Sequence, residues 1–258
     1  MFCPVTQTNY RHFKKACEHE RILGSKCLTA LRSFGSNIPD HTFWIWQTAD
    51  VPSSAALYLQ NGVLIISSDN QLNATEITDF VRSHQVHEID TNKELCSGIA
   101  SMLGGTMESS VFMKYTGESF TTGIIEPQAA TSLNDVYDIL LQSHEYYRTH
   151  LNFTEWSDNY RRLLSQNLCE LYEFKVDGKA VATGSIASED DHAGVLAAIA
   201  VIPPYRNTGI GSAVTRFLTN RVLQKGKTPM LLAGYDAVAE LYRRLGYVDN
   251  GSWGELYL

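Results

Sequence analysis

No stretch of about eighteen apolar residues occurs in this chain, so no membrane-spanning helix and no membrane partner are expected. Its start, MFCPVTQTNYRHFKK, lacks the basic segment and apolar core of a secretory signal, and none is expected. Cysteine is sparse, with five residues at positions 3, 17, 27, 96 and 169. The count is odd and no pair has CxxC spacing, which argues against a disulfide frame or a zinc site. Reduced thiols in a cytoplasmic protein are expected. Positive charge is in deficit, with 21 Lys and Arg against 28 Asp and Glu, a formal charge of −7. A nucleic-acid binder usually shows a basic stripe, so that class is set aside. The acidic balance is compatible with a cationic or amine substrate. Low-complexity tracts and long linkers are absent as well.

What the chain has is 44% hydrophobic residues over 258 positions, enough for one large or two small domains. A helix is expected from about Asn9 to Leu31. Strands are expected at Thr42–Gln47, Ala55–Leu59 and Val63–Ser67, the last two joined by an Asn61-Gly62 hairpin turn. A helix near Thr75–His84, a strand near Val86–Ile89, a helix near Leu95–Leu103 and a strand near Ser110–Tyr115 follow. The polar stretch from Gly117 to Thr122 marks a boundary, giving domains 1–119 and 120–258.

After the boundary the pattern restarts. Gly123–Glu126 reads as a short strand, and Ser132 with Asp135 is a capping signature for a helix. More helix fills Tyr146–Gln166. Leu168–Val176 and Ala180–Ala187 are strands joined at Asp177-Gly178. Gly194–Val201 is almost wholly apolar, as in a strand buried on both faces. Ile210, Val214, Phe217, Leu218 and Val222 keep helical spacing up to Gly226. Met230–Ala233 is a strand, Asp236 can cap a helix closed by Gly246, and Glu255–Leu258 is a final strand. Both halves thus share an order of hairpin, apolar strand, helix, strand, helix, strand. A structural pseudo-repeat and two unrelated α/β domains are both open readings.

The chemistry concentrates in Val201-Ile202-Pro203-Pro204-Tyr205-Arg206-Asn207-Thr208-Gly209-Ile210-Gly211-Ser212. A strand ends, a proline turn follows, and a helix opens at Gly-x-Gly. The first turn of a helix has backbone N–H groups without intrahelical partners, and with the helix dipole they attract anions. Gly209 and Gly211 let a phosphate approach the main chain, and Arg206 adds positive charge. The dinucleotide fingerprint needs a third glycine where Val214 stands. The nucleoside-triphosphatase loop needs Gly-Lys-Ser/Thr, and Gly211 precedes Ser212-Ala213.

Arg206-Asn207-Thr208-Gly209-Ile210-Gly211 resembles the Arg/Gln-x-x-Gly-x-Gly/Ala signature of the GCN5-related N-acetyltransferases. Val201-x-Pro203 before it and Leu241-Tyr242-Arg243-Arg244-Leu245-Gly246-Tyr247 after it are similar to further features of that family. The resemblance covers roughly 122–258. It implies an α/β (α+β) fold with a mixed sheet flanked by helices, here preceded by a smaller α/β domain of the same kind without a phosphate loop. It implies acetyl-CoA as co-substrate, with no metal, and direct acetyl transfer to a primary amine of a small molecule or peptide. Ile199, Ala200 and Val201 would pair with the pantetheine arm, and the N–H groups from Arg206 to Ser212 would hold the pyrophosphate. Tyr242 would be the general acid that protonates the departing thiolate. The alternative for Tyr242 is a core tyrosine with a satisfied hydroxyl.

Two departures from the family pattern stand out. The strand Gly194–Val201 carries no glutamate, which leaves the base unassigned among Glu173, Asp236, His144, His150 and the carboxylate of Leu258. Where relatives often have asparagine, seven residues before the tyrosine, stands Tyr235, which could close over the arm or line the acceptor pocket. A longer acyl-CoA, or a non-catalytic CoA-binding sensor or scaffold, are the rival readings. Monomer and homodimer are both compatible with the sequence. His84 and His87 are weighed as a metal pair without a further ligand. Phe43, Trp44 and Trp46 read as sheet core. Tyr146, Tyr147, Trp156 and Tyr160 are either an aromatic wall around an amine or packing residues.

Overall fold

The structure is a computed structural model describing residues 1–36, 38–48, 53–69, 71–121 and 127–258. The described elements in chain order are β1 (Phe2–Pro4), α1 (Tyr10–Ala16), α2 (Arg21–Phe34), β2 (His41–Trp46), β3 (Ala55–Gln60), β4 (Val63–Ser68), α3 (Ala74–Ser83), β5 (Glu88–Asn92), α4 (Lys93–Leu103) and β6 (Thr106–Tyr115). Then come β7 (Pro127–Ala129), α5 (Leu133–Ser143), α6 (Glu145–His150), α7 (Phe153–Ser165), β8 (Glu170–Val176), β9 (Lys179–Glu189) and β10 (Ala193–Val201). A 3-10 turn (Pro203–Tyr205), α8 (Ile210–Gln224), β11 (Thr228–Ala233), α9 (Asp236–Arg244) and β12 (Tyr247–Tyr257) complete the chain. The strand expected at Gly123–Glu126 lies outside the described residues. Among the described residues no helix is long and apolar enough to cross a membrane.

Two compact units form. The first comprises Met1–Met113, Leu232–Ala239 and Asp249–Leu258, and the second Lys114–Leu231 and Glu240–Val248. The sequence reading ran the second domain through to Leu258. The last strand instead pairs antiparallel with β5, Trp253 opposite Asn92 and Glu255 opposite Asp90, and so falls in the first unit.

Strands of the first unit run in the order β1-β2-β3-β4-β5-β12-β6. Alternation along β2 sends Phe43 and Ile45 to a core with Phe13, Cys27, Leu28 and Tyr58, and sends Trp46 to the opposite core with Leu57, Ile66, Ile77 and Phe80. The helix expected from Asn9 to Leu31 is two helices. Glu20 is extended (φ −121°, ψ 91°), and its N–H bonds Ser67 Oγ at 3.0 Å. The break lets each half turn its own apolar face inward, as the two separate faces in the sequence already require.

The second unit orders its strands β11-β10-β9-β8-β7. The pairs from β7 to β10 are antiparallel, and β10 and β11 are parallel. One face is covered by α8, where the Phe217 ring meets Tyr172 at 4.8 Å. The other face receives α5 and α7, with the Tyr160 hydroxyl 3.2 Å from Ser185 Oγ. The helix expected over Tyr146–Gln166 is divided into α6 and α7, each with its own side-chain cap: His144 on Tyr146 N–H and Asn152 on Glu155 N–H. Glu170 pins α8 to the hairpin through Arg221 (3.1 Å) and Lys225 (2.7 Å).

The units share a pattern of pairing. In each, an antiparallel hairpin (β3–β4, β9–β10) is followed through a helix by a parallel strand (β5, β11). The parallel ladder stops early in both, at Ile65 opposite Asp90 and at Leu196 opposite Leu231.

Candidate functional site

The site begins with β10. Its ladder to β11 covers Ala193–Leu196, while its ladder to β9 continues to Val201 opposite Ala182. Between Ala197 and Ala200 three steps of β10 oppose two of β9, and Ala198 takes φ 51°. Such a bulge re-aims the strand, and a non-glycine residue in that conformation costs about 1–2 kcal/mol. Beyond it, Ile202 N–H bonds the Val181 carbonyl at 3.0 Å. Alternation therefore turns the backbone groups of Ala200 toward β9, and those of Ile199 and Val201 toward the other edge. The strand expected to be buried on both faces is half-buried from Ala197 to Ile199, where that edge opens.

Next comes the loop. Pro203 fixes the first residue of the 3-10 turn, where no N–H is missed. Arg206 N–H is spent on the Pro203 carbonyl at 3.2 Å, so Arg206 offers the loop its side chain. That guanidinium donates from Nε to the Val201 carbonyl at 3.2 Å and to the Ser143 carbonyl at the end of α5. Thr208 Oγ1 donates to the Tyr205 carbonyl at 2.6 Å, tightening the turn.

Gly209 is the N-cap of α8 with φ 88°, and no side chain caps the helix there. A left-handed N-cap without a side chain leaves first-turn N–H groups directed outward. A Cβ at Gly209 would meet nothing within 4 Å, and one at Gly211 would make only ordinary contact with Val201 Cγ2 at 3.7 Å. The first turn of α8 has no acidic residue. The equivalent helix of the first unit, α3, is closed by contrast. Asn73 caps it by accepting from Glu76 N–H at 3.2 Å, and Glu76 adds negative charge to its first turn.

Tyr242 lies on α9, buried, with its ring 5.8 Å from that of Tyr247. Tyr247 bonds Thr219 Oγ1 at 2.6 Å, and burial pushes its hydroxyl well above the usual phenol range. Tyr235 is exposed and clusters with the first unit; its carbonyl accepts from Val238 and Ala239 N–H at 3.0 and 3.1 Å. Asp236, expected as the cap, is thus the first helical residue.

The aromatic set divides. Tyr160 is buried, and burial raises its hydroxyl to about 12. Trp156 packs on it at 4.9 Å, and exposed Tyr146 stacks on His150 at 4.6 Å. His84 bonds the Phe80 carbonyl at 2.8 Å, and His87 bonds the Asn61 carbonyl at 2.9 Å, so the two rings serve separate structural contacts. All five cysteines are free thiols. Glu173 is wholly buried on β8, and its Oε2 lacks a hydrogen-bond partner among the described residues, which the sequence does not convey. No local signal marks it, because β8 also carries Glu170 and Lys175.

A strand that parts from its parallel neighbour, followed by a loop and a helix with an uncapped, glycine-led first turn, is the arrangement that the resemblance to the N-acetyltransferases implies. Residues 133–247 match the sequence model described as the acetyltransferase (GNAT) family. They form a domain of that family. No curated protein sequence matches the chain. Among solved structures, a GCN5-related N-acetyltransferase from Kribbella flavida is similar at TM-score 0.62 and 15% identity, over 93% of this chain and 95% of that one. A GCN5-related N-acetyltransferase from Sphaerobacter thermophilus gives TM-score 0.62 at 12% identity, over 99% and 94%. A tandem GNAT protein from the clavulanic acid biosynthesis pathway gives 0.60 at 9% identity, over 100% and 98%. At these identities the likeness is one of fold.

Proposed function

We propose that this chain transfers the acetyl group of acetyl-CoA to a primary amine, directly and in a ternary complex. The observation that carries the reading is the uncapped first turn of α8 behind Gly209, set beside the free edge of β10. The N–H groups from Asn207 to Ser212 suit a diphosphate, and Arg206 supplies the positive charge. The backbone groups of Ile199 and the N–H of Val201 suit an amide-bearing arm laid along the strand edge, the Val201 carbonyl already accepting from Arg206 Nε. Ala200 serves from the other side, holding β9. The residues therefore fit coenzyme A by the chemistry of their donors.

In the reaction a bond forms between amine nitrogen and thioester carbon, and the carbon–sulfur bond breaks with its electron pair on sulfur. Tyr242 donates the proton that the thiolate takes up. The capped first turn of α3 supports a first unit without a phosphate loop of its own.

Calorimetric titration with acetyl-CoA is the first test, followed by thiol release with polyamines, aminoglycosides, amino acids and peptides. The reading requires binding, and release with at least one amine. Absence of cofactor binding would remove it, and binding without transfer to any acceptor would turn it into a sensor or scaffold. Preference for a longer acyl-CoA in the same assay would rename the donor.

A further inference from the structure

A protonated primary amine must lose a proton before it can attack a thioester, and β10 carries no carboxylate to receive it. Geometry separates the other groups. His144 Nδ1 lies 3.1 Å from Tyr146 N–H as the cap of α6. His150 Nδ1 lies 2.6 Å from Thr149 Oγ1. Both histidines and Asp236 are exposed. Leu258 ends in the first unit, its N–H on the His87 carbonyl at 2.9 Å.

Glu173 differs from all of these. It is fully buried, and its Oε1 is held by Lys175 Nζ at 2.9 Å and Thr131 Oγ1 at 3.3 Å. Its Oε2 has no partner among the described residues. A carboxylate oxygen left so in a protein interior calls for a hydrogen-bond donor. Register places Glu173 opposite Thr183, and Thr183 opposite Ala200. Residues directly opposite share a face, so one row runs from Glu173 to the strand with the free edge. Two strand spacings make it about 10 Å long, a span that one or two water molecules bridge. Thr183 Oγ1 donates to the Tyr172 carbonyl at 2.9 Å, which leaves its lone pairs to orient a water in the row.

We propose that Glu173 receives the proton of the acceptor amine through water aligned by Thr183; this rests on the acetyl-transfer reading above. The ammonium gives one proton along the row to Glu173 Oε2, which returns it to solvent. The neutral nitrogen then bonds to the acetyl carbon, the carbon–sulfur bond breaks, and the nitrogen's second proton is balanced by the one taken up on sulfur. Glu173 thus acts through water and fixes where the amine is deprotonated.

Two probes test this: n-butylamine, protonated at neutral pH, and hydroxylamine, largely neutral there and in no need of a base. With E173Q, kcat/KM for n-butylamine should fall by about 100-fold and that for hydroxylamine by no more than about threefold. T183V, which keeps the side-chain shape, should show the same bias at about tenfold, and it carries the test should E173Q fail to fold. Equal losses with both probes, or none with n-butylamine, would overturn the assignment while leaving the transferase reading intact. Wild-type protein that binds acetyl-CoA and transfers neither to these probes nor to any amine of the panel above would overturn both.

Discussion

Arg206 donates through Nε to the carbonyl of Val201 at 3.2 Å, and the same guanidinium reaches the carbonyl of Ser143. One side chain therefore ties the end of β10 and the end of α5 to the glycine loop. It is the only basic residue between 201 and 215. Charge-assisted hydrogen bonds of this kind contribute about 1.5–3 kcal/mol, so R206Q should weaken acetyl-CoA binding about 10- to 100-fold. The loss should shrink as salt is raised. Calorimetry at two ionic strengths reads both effects, and unchanged affinity would take Arg206 out of the site.

The two glycines of the loop are not equivalent. Gly209 holds φ 88°, whereas Gly211 sits inside helix α8 with its nearest prospective contact at 3.7 Å. Gly209→Ala should cost about 1–2 kcal/mol in local conformation and reduce cofactor affinity accordingly. Gly211→Ala should fold with an unchanged or slightly higher Tm, because alanine favours a helix over glycine. Equal behaviour of the two variants in thermal melts and titration would show that the left-handed cap is dispensable.

That asymmetry marks what the sequence can convey. The Gly-x-Gly pair, the hairpins at Asn61-Gly62 and Asp177-Gly178, and the Ser132 cap were legible because each depends on a few adjacent residues. The break between α1 and α2 was not, since it hangs on Glu20 meeting Ser67 from a distant strand. Nor was the placement of β12, whose pairing with β5 joins residues far apart in sequence. The role of β10 in holding the pantetheine arm was expected only from a family likeness, and the opening beside it was not marked by any residue. Its physical basis, a bulge at Ala198 where the chain shows two plain alanines, carries no local signature. Glu173 stood in the sequence among five possible bases, and burial alone distinguishes it.

Tyr242 offers a cleaner separation of chemistry from packing. Its ring is buried against Tyr247, so Tyr242→Phe preserves the volume that the core needs. The variant should melt within a few degrees of the parent. If the hydroxyl protonates the leaving thiolate, turnover should fall at least about tenfold while acetyl-CoA affinity holds. Steady-state kinetics beside a binding titration decides the point. Turnover that survives would leave Tyr242 as a core residue only.

In the first unit, Glu255 on β12 sits directly opposite Asp90 on β5. Asp90 is bonded by Trp253 Nε1 at 3.1 Å and approached by Lys26 Nζ at 3.6 Å, while at Glu255 burial and the neighbouring Asp90 outweigh a hydrogen bond from Tyr257 and the more distant charge of Lys26. Burial first, and Asp90 second, push the Glu255 carboxyl from 4.5 to about 7. A carboxyl raised on folding binds its proton more tightly in the folded state. Its contribution is fully present below about pH 4.5 and is lost as pH rises toward 7 and beyond. A rise of that size corresponds to at most about 3 kcal/mol. Glu255→Gln keeps the shape and removes the charge. The variant should match the parent in acid and exceed it in stability at about pH 8, by up to that amount. Urea titrations across this range would measure the difference. A variant less stable than the parent at high pH would mean that the ionised carboxylate is held by Lys26 after all, and that the pair Glu255–Asp90 is not a source of alkaline strain.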